Sequence, residues 1–323
     1  MSLPRALVTA PLRGPALDEL RDVAEVIFDP WLEYTPIRLY GPDDLAAKLR
    51  ELDAEILICE ADFCSGAVFD LPLKLVGATR GTPTNVDVAA ATAAGIPVVC
   101  TPGRNADAVA EMTVALLMAL ARSVVAGHLD MVNGTVFGET LPYQRYRTWQ
   151  LAGRTAGLVG LGAVGRATKW RLEGLGMSVI SHDPFVSDAT HELDDLLAEA
   201  DVVSMHAVVT PDTHQMINAA RFSQMKPGAL YINSARAGLH DVDALIDALD
   251  SGRLGGAALD HVDGESIPVE HPLLKMGNVV LTPHIGGATY DVELRQTEMI
   301  VADVKAILAN EHPVNCVNPE VFS

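Results

Sequence analysis

At 323 residues, 49% of them apolar, the chain is long for one domain and comfortable for two. A net charge of −19 leaves no basic surplus to neutralise phosphates, which excludes general binding to nucleic acid or to an anionic membrane. Solubility accounts for that charge, and an anionic ligand must then be held by local dipoles and a few placed arginines.

The cysteines Cys59, Cys64, Cys100 and Cys316 form neither zinc-like pairs nor a disulfide framework, so no metal site is expected. Cys59 and Cys100 lie in apolar runs and read as core thiols. No charged leader precedes an apolar run at the N-terminus. The apolar run Val109 to Ala121, interrupted by Glu111 and Thr113, is too short for a bilayer span. These features predict a cytoplasmic protein without membrane association.

Along residues 1–103, strand-like runs (Ala6–Thr9, Glu55–Cys59, Lys74–Ala78, Pro97–Cys100) alternate with helical stretches (Leu17–Val23, Pro42–Leu52, Val86–Ala94). That alternation predicts a doubly wound parallel sheet, with ligands at the loops after its strands. A single long helix is expected from Ala106 to Val132, apolar around most of its circumference, and so buried in a core or against a second copy of the chain. Gly134 to Gln150 is polar and irregular, a surface connector or a flap near an active site.

From Leu151 a second alternating series begins. Thr155 to Val159 reads as a buried strand and Ala163 to Leu175 as a helix, with Gly160, Gly162 and Gly165 spaced G-x-G-x-x-G between them. Glycines there permit a tight turn and close approach of a pyrophosphate to a helix N-terminus. Eighteen residues past Gly165, at the end of the run Ser178–His182, stands Asp183, placed to accept hydrogen bonds from a ribose. Further strands are predicted at 201–206, 228–233, 256–260 and 278–282, with helices at 192–199, 218–225 and 241–250. A last helix, Ala288 to Asn310, returns to the first lobe. The fold class is α/β: two doubly wound parallel-sheet lobes, a flavodoxin-like substrate domain (1–103 and 289–323) and an inserted dinucleotide-binding Rossmann domain (104–288). Two crossings between lobes predict a hinge and a closing cleft.

Three strand ends in the second lobe carry ionisable residues: Arg236 after Asn233, Glu265 beyond Asp260, and His284 between a proline and a glycine pair. They match the needs of hydride transfer between a nicotinamide and a 2-hydroxy acid. An alkoxide developing at C2 needs a proton donor working near neutral pH, which is a histidine's range. A carboxylate on the second ring nitrogen fixes the tautomer. The substrate carboxylate and polarised carbonyl want a planar bidentate cation. His284 is therefore the candidate acid/base, Glu265 its partner, Arg236 the substrate anchor, and Asp260 a candidate neighbour of the nicotinamide.

The chain resembles the D-isomer-specific 2-hydroxyacid dehydrogenase family, of which phosphoglycerate dehydrogenases are one group. The resemblance runs through Asn85-Val86-Asp87, Gly95 to Val98, Pro102 to Asn105 with Val109-Ala110-Glu111, the glycine motif, Ser234-Ala235-Arg236, Ala257 to Asp260 and Pro283 to Gly287. It implies a catalytic triad of Arg236, Glu265 and His284. It places cofactor contacts at Gly160, Gly162, Ala163, Val164, Gly165, Asp183, His206, Thr213 and Asp260. Asp183 at the ribose position implies NAD, because a 2′-phosphate would meet a carboxylate. It also implies a small 2-hydroxy or 2-keto acid as partner and a homodimer through the 106–132 region. A nucleotide-sensing, corepressor-like binding protein of the same fold is the alternative from another class.

Departures from the family pattern bear on substrate. Where relatives have two glycines whose amides hold the substrate carboxylate, this chain reads Ala78-Thr79-Arg80-Gly81-Thr82-Pro83, so Arg80 and Gly81 are candidate substrate contacts. Glu60-Ala61-Asp62 brings acids that could bind hydroxyls, pointing to a sugar acid or a phosphorylated acid such as 3-phosphoglycerate. His261 and Val262 stand in place of an apolar and aromatic pair. Ala163 replaces a polar residue, leaving the pyrophosphate to backbone amides and Arg166.

Overall fold

The computed structural model describes residues 3–137 and 140–323. In chain order it runs β1 (Arg5–Val8), α1 (Pro15–Val23), β2 (Glu25–Phe28), α2 (Pro42–Leu52), β3 (Ile56–Cys59), β4 (Leu75–Ala78), α3 (Val88–Ala93), β5 (Val98–Val99), α4 (Ala106–Ala121), α5 (Val124–Asn133) and α6 (Pro142–Arg145). There follow β6 (Thr155–Val159), α7 (Ala163–Gly174), β7 (Ser178–His182), α8 (Leu193–Glu199), β8 (Val202–Met205), α9 (Ala219–Gln224), β9 (Ala229–Asn233), α10 (Val242–Asp250), β10 (Leu254–Leu259), β11 (Val279–Leu281) and α11 (Tyr290–Leu308). The chain divides into two compact units, residues 1–104 with 289–323, and residues 105–288.

The first unit holds a five-stranded parallel sheet in the order β2-β1-β3-β4-β5, the flavodoxin-like order 2-1-3-4-5. Strand alternation splits its core in two. Ala6, Val8, Ile56 and Ile58 pack with α1 and α11 through Leu17, Leu20, Ile300 and Val304. Leu7, Leu57 and Cys59 point the other way, onto Leu45 and Leu49 of α2. Both α1 and α2 start on a proline, whose missing N–H costs nothing in a first turn. The strand β2, absent from the expectation, is short and only half-buried, so it has little apolar pattern to betray it.

The second unit holds six parallel strands in the order β11-β10-β9-β8-β6-β7. The chain runs outward from β6 to β7 and then crosses back to β8 on the other side. The switch point therefore lies between the carboxyl ends of β6 and β8, where open α/β sheets bind ligands.

The expected single helix 106–132 is two helices. The segment bends by 60° between α4 and α5, at Ser123, which has a left-handed φ of 50°. A residue in that region cannot continue a right-handed helix, and serine's backbone-binding hydroxyl makes it a poor interior residue. The two pieces also differ in burial. Val109, Ala110, Leu116 and Leu117 of α4 are buried, whereas α5 has no buried residue. Among the described residues no single helix is long and apolar enough to cross a membrane.

Candidate active site

The glycine motif closes the end of β6. A β-carbon on Gly160 (φ 101°) would lie 2.6 Å from the backbone carbonyl carbon of His206, and one on Gly165 would lie 2.2 Å from the carbonyl oxygen of Gly160. The first glycine thus lets β6 and β8 meet at the switch point, and the third lets α7 sit down on the loop. A β-carbon on Gly162 would meet none of the described residues within 4 Å. That open space lies where α7 begins, with no side-chain cap and no acid in its first turn. The first amides of α7, around Ala163, Val164 and Gly165, therefore form an uncompensated positive helix end suited to a pyrophosphate.

Asp183 stands beside this end. Its Oδ2 accepts the Leu161 N–H at 2.8 Å and its Oδ1 the Phe185 N–H at 3.0 Å. A carboxylate has further lone pairs, so a ribose hydroxyl still finds acceptors. Burial pushes the His206 imidazole down to about 4; its Nε2 lies 3.0 Å from the Ser204 hydroxyl, and its Nδ1 is buried with no hydrogen-bond partner among the described residues. Thr213 ties the loop after β8, donating to the Val208 carbonyl at 2.6 Å and accepting from the Thr210 N–H at 2.7 Å. The open cradle and orphaned imidazole nitrogen fit a dinucleotide. Arg166, in the first turn of α7, places both terminal guanidinium nitrogens on the Asp188 carboxylate, at 2.7 and 2.9 Å.

At the carboxyl ends of β9, β10 and β11 the three expected residues share one neighbourhood. His284 Nδ1 lies 2.9 and 3.0 Å from the two Glu265 oxygens. His284 and Glu265 both have left-handed backbones, φ 54° and 60°, a strain that such residues keep only where surrounding contacts enforce it. The turn bearing Arg236 is shaped by buried Asn233, whose Oδ1 accepts the Ala235 and Arg236 amides at 3.0 and 3.2 Å while its Nδ2 donates to the Arg236 carbonyl at 2.8 Å. The Arg236 side chain is exposed, with Nη1 on the Ala235 carbonyl at 2.6 Å. The sequence assigns Asn233 no role and marks His261 only as a departure from the family pattern: strand-terminal residues look alike until their partners are known. The substitution at 261 was the one available signal.

Asp260 braces the loop that carries His284. It is 1% exposed, and its oxygens accept from the Thr282 hydroxyl at 2.6 Å, the Ile285 N–H at 3.0 Å and the Gly286 N–H at 2.7 Å. Three donors thus tie it to that loop, and the second oxygen, taken among the described residues only by Gly286, keeps a free lone pair.

In the first unit, Glu60, Arg80 and Arg104 follow adjacent strands β3, β4 and β5. Arg80 Nε donates to the Glu60 carbonyl at 2.5 Å and its Nη1 to Thr84 at 3.2 Å. The Glu60 carboxylate takes Arg104 at 2.6 Å and the Trp31 indole N–H at 3.2 Å. Gly81 offers its carbonyl to the Cys100 thiol at 3.7 Å. The acid at Asp62, expected as a hydroxyl binder, is fully buried, accepting from the Thr9 hydroxyl at 2.5 Å and the Tyr40 N–H at 2.7 Å. It braces the sheet edge instead.

Of the two readings of Gly134 to Gln150, a surface connector or a flap, the described residues favour the connector, with 138 and 139 lying outside them. Arg145 is tied to Asp130 of α5 at 3.0 Å. Arg147, Thr148 and Trp149 line a groove of about 810 Å³ with Arg154, Asp201, Ala229 and Gly255, at the amino ends of β6, β8, β9 and β10. Within this unit that is the opposite edge of the sheet from His284.

Residues 114–286 match the family described as D-isomer specific 2-hydroxyacid dehydrogenase, NAD binding domain. A glyoxylate reductase from Thermofilum pendens is 34% identical over all of this chain and 96% of its own length. A D-3-phosphoglycerate dehydrogenase from Archaeoglobus fulgidus is 36% identical over 76% of this chain, a match taking in 47% of that protein. A solved protein of Thermus thermophilus is similar with a TM-score of 0.83 at 37% identity, over 97% of this chain and 99% of its own. The D-isomer specific 2-hydroxyacid dehydrogenase of Lactobacillus delbrueckii ssp. bulgaricus, in its NAD complexed form, is similar with a TM-score of 0.80 at 25% identity, over 98% and 100%. Whole-length likeness in sequence, together with a nucleotide cradle at the sheet's switch point, makes this chain a member of the D-isomer specific 2-hydroxyacid dehydrogenases, which are NAD-dependent.

Proposed function

We propose that the chain interconverts a D-2-hydroxy acid and its 2-keto acid, with Arg236, Glu265 and His284 as the reacting set. The observation that carries this reading is the two-oxygen contact of Glu265 with His284 Nδ1. It leaves the other ring nitrogen, Nε2, for a substrate oxygen. Bound NADH supplies the hydride for C2. His284 gives its Nε2 proton to the oxygen that becomes the hydroxyl, and takes it back in the oxidative direction. Glu265 keeps the Nδ1 proton in place and stabilises the cation that forms there. Arg236 anchors the substrate carboxylate. Gly160, Gly162, Ala163, Val164, Gly165, Asp183, His206 and Thr213 hold the cofactor, with Asp260 at its nicotinamide end.

For the substrate, the reading is a small acid with a further polar or anionic group, a sugar acid or a phosphorylated acid such as 3-phosphoglycerate. Arg80 and the adjoining Gly81 are its proposed determinants. The T. pendens and A. fulgidus relatives, a glyoxylate reductase and a phosphoglycerate dehydrogenase, bracket that range. The chain is also read as a homodimer through α5, on which Val124, Leu129, Met131 and Val132 are more than half exposed. A patch of that kind on a helix is ordinarily covered by a partner.

The experiment is a panel of glyoxylate, hydroxypyruvate and 3-phosphohydroxypyruvate followed by NADH absorbance. His284→Ala should lower turnover by about two to four orders of magnitude, the range for a general acid, while NADH binding by fluorescence is kept. Near-normal turnover in that variant would remove the assignment. Inactivity of the unaltered protein across the whole panel would favour the nucleotide-sensing alternative.

A further inference from the structure

His261 is 4% exposed, yet its ring packs on that of His284 with centroids 3.7 Å apart and planes at 53°. Its Nε2 lies 3.4 Å from Arg236 Nη1, at the long end for a hydrogen bond. The groups facing it are Arg236 from the turn after β9, Asp260 and Glu265 from its own segment after β10, and His284 from the loop after β11.

We propose that His261 is a positioning residue that seats the Arg236 guanidinium and the His284 imidazole against one another, fixing where a substrate carboxylate lies relative to the proton donor. The proposal rests on Arg236 and His284 being the reacting residues. One ring does both jobs. Its face supports His284, and its Nε2 lone pair gives the exposed Arg236 a second anchor beside the Ala235 carbonyl. To accept from an arginine that never loses its proton, the ring must be neutral and carry its hydrogen on Nδ1. Burial, then the His284 and Arg236 charges, push the imidazole down to about 4 against the pull of Asp260 and Glu265. The lone pair is therefore available at neutral pH.

The same residues invite a different reading, since donor atoms of His261, Glu265 and His284 lie within 4.8 Å of one another. Two imidazoles sharing a zinc ion at about 2.0–2.1 Å aim their nitrogens at a common point. Here the ring planes are tilted at 53° with centroids 3.7 Å apart, His284 Nδ1 is held by Glu265, and a guanidinium nitrogen lies 3.4 Å from His261 Nε2. A cation at that point would also stand beside the Arg236 charge, which repels it.

The test compares His261→Leu and His261→Gln with His284→Ala, using NADH and the best keto acid of the three-member panel. His261→Leu should raise KM about tenfold, on the order of one hydrogen bond to a charged group lost, with kcat falling less and NADH affinity unchanged. His261→Gln, whose side-chain oxygen can accept from Arg236, should recover most of the KM. An unchanged KM in His261→Leu, alongside an inactive His284→Ala, overturns the positioning role and leaves the reaction assignment standing. An active His284→Ala overturns the reaction assignment itself. Two-bond 1H–15N correlation spectra of the unaltered protein at pH 7 test the proposal without activity. The signal lost in His261→Gln should show an Nδ1–H ring with a bare Nε2, and an Nε2–H tautomer or a cation overturns the proposal.

Discussion

Asp260 accepts the backbone N–H of Gly286 at 2.7 Å and so closes the loop in which His284 sits at a left-handed φ of 54°. The other oxygen takes Thr282 and Ile285. Three donors on one buried carboxylate are what keep a strained histidine in place. Asp260→Asn would turn one acceptor into a donor aimed at an N–H. We expect a loss of about 1–3 kcal/mol in urea unfolding, the penalty of an unsatisfied buried group. Turnover should fall at least about tenfold as His284 is misplaced. Unchanged turnover with lowered stability would show that the loop keeps its shape unaided.

Asp183 links the second strand of the dinucleotide unit to the glycine loop through the Leu161 amide. Replacing it by serine removes the charge that repels a 2′-phosphate, and with it a strong ribose acceptor. The ratio of kcat/KM for NADH over NADPH should fall by about tenfold or more, that factor being 1.4 kcal/mol. A ratio that does not move would place nucleotide discrimination elsewhere.

Burial holds His206, His240 and His261 each near 4 in the folded chain, below the 6.5 of a free imidazole. Their neutral forms are therefore favoured by folding, and the unfolded chain binds more protons between those two values. The stability they confer is complete above about pH 6.5 and is lost as pH falls toward 4, by up to about 1.4 kcal/mol per pH unit for each ring. Urea midpoints at pH 7, 6 and 5 should fall accordingly. His240→Gln, whose side chain can still take the Asn233 amide, removes one of these rings and should flatten the slope; equal slopes in the two proteins would contradict a buried neutral His240.

The exposed face of α5 carries the dimer proposal. Met131→Asp combined with Val132→Asp puts two charges where the interface would be dry, and sedimentation velocity should show a shift from dimer to monomer. A monomeric unaltered protein, or an unshifted double variant, would contradict an interface through α5.

Much of the architecture could be read locally. The spacing Gly160, Gly162, Gly165, the strand before it and the acid at 183 declare their purpose because backbone turns and strand periodicity depend on near neighbours. The ionisable residues at the ends of β9, β10 and β11 stood out for the same reason: a strand's end in a parallel sheet is a place defined by pattern alone. Short-range patterns did not reveal the break at Ser123. The helical run on either side is equally apolar, and one left-handed residue redirects it.

Which strand ends meet, and which donors each side chain finds, follows from the order of the sheet. That order set His206 against Gly160, turned Asp260 toward the His284 loop, committed Arg166 to Asp188 and carried Trp149 to the far edge of its unit. Glu265 and His284 were identifiable as a histidine with a carboxylate to spare. Their 2.9 Å contact, and the buried ring of His261 beneath it, exist only because parallel strands bring residues far apart in the chain to the same edge, where desolvation and hydrogen bonding decide each side chain's role.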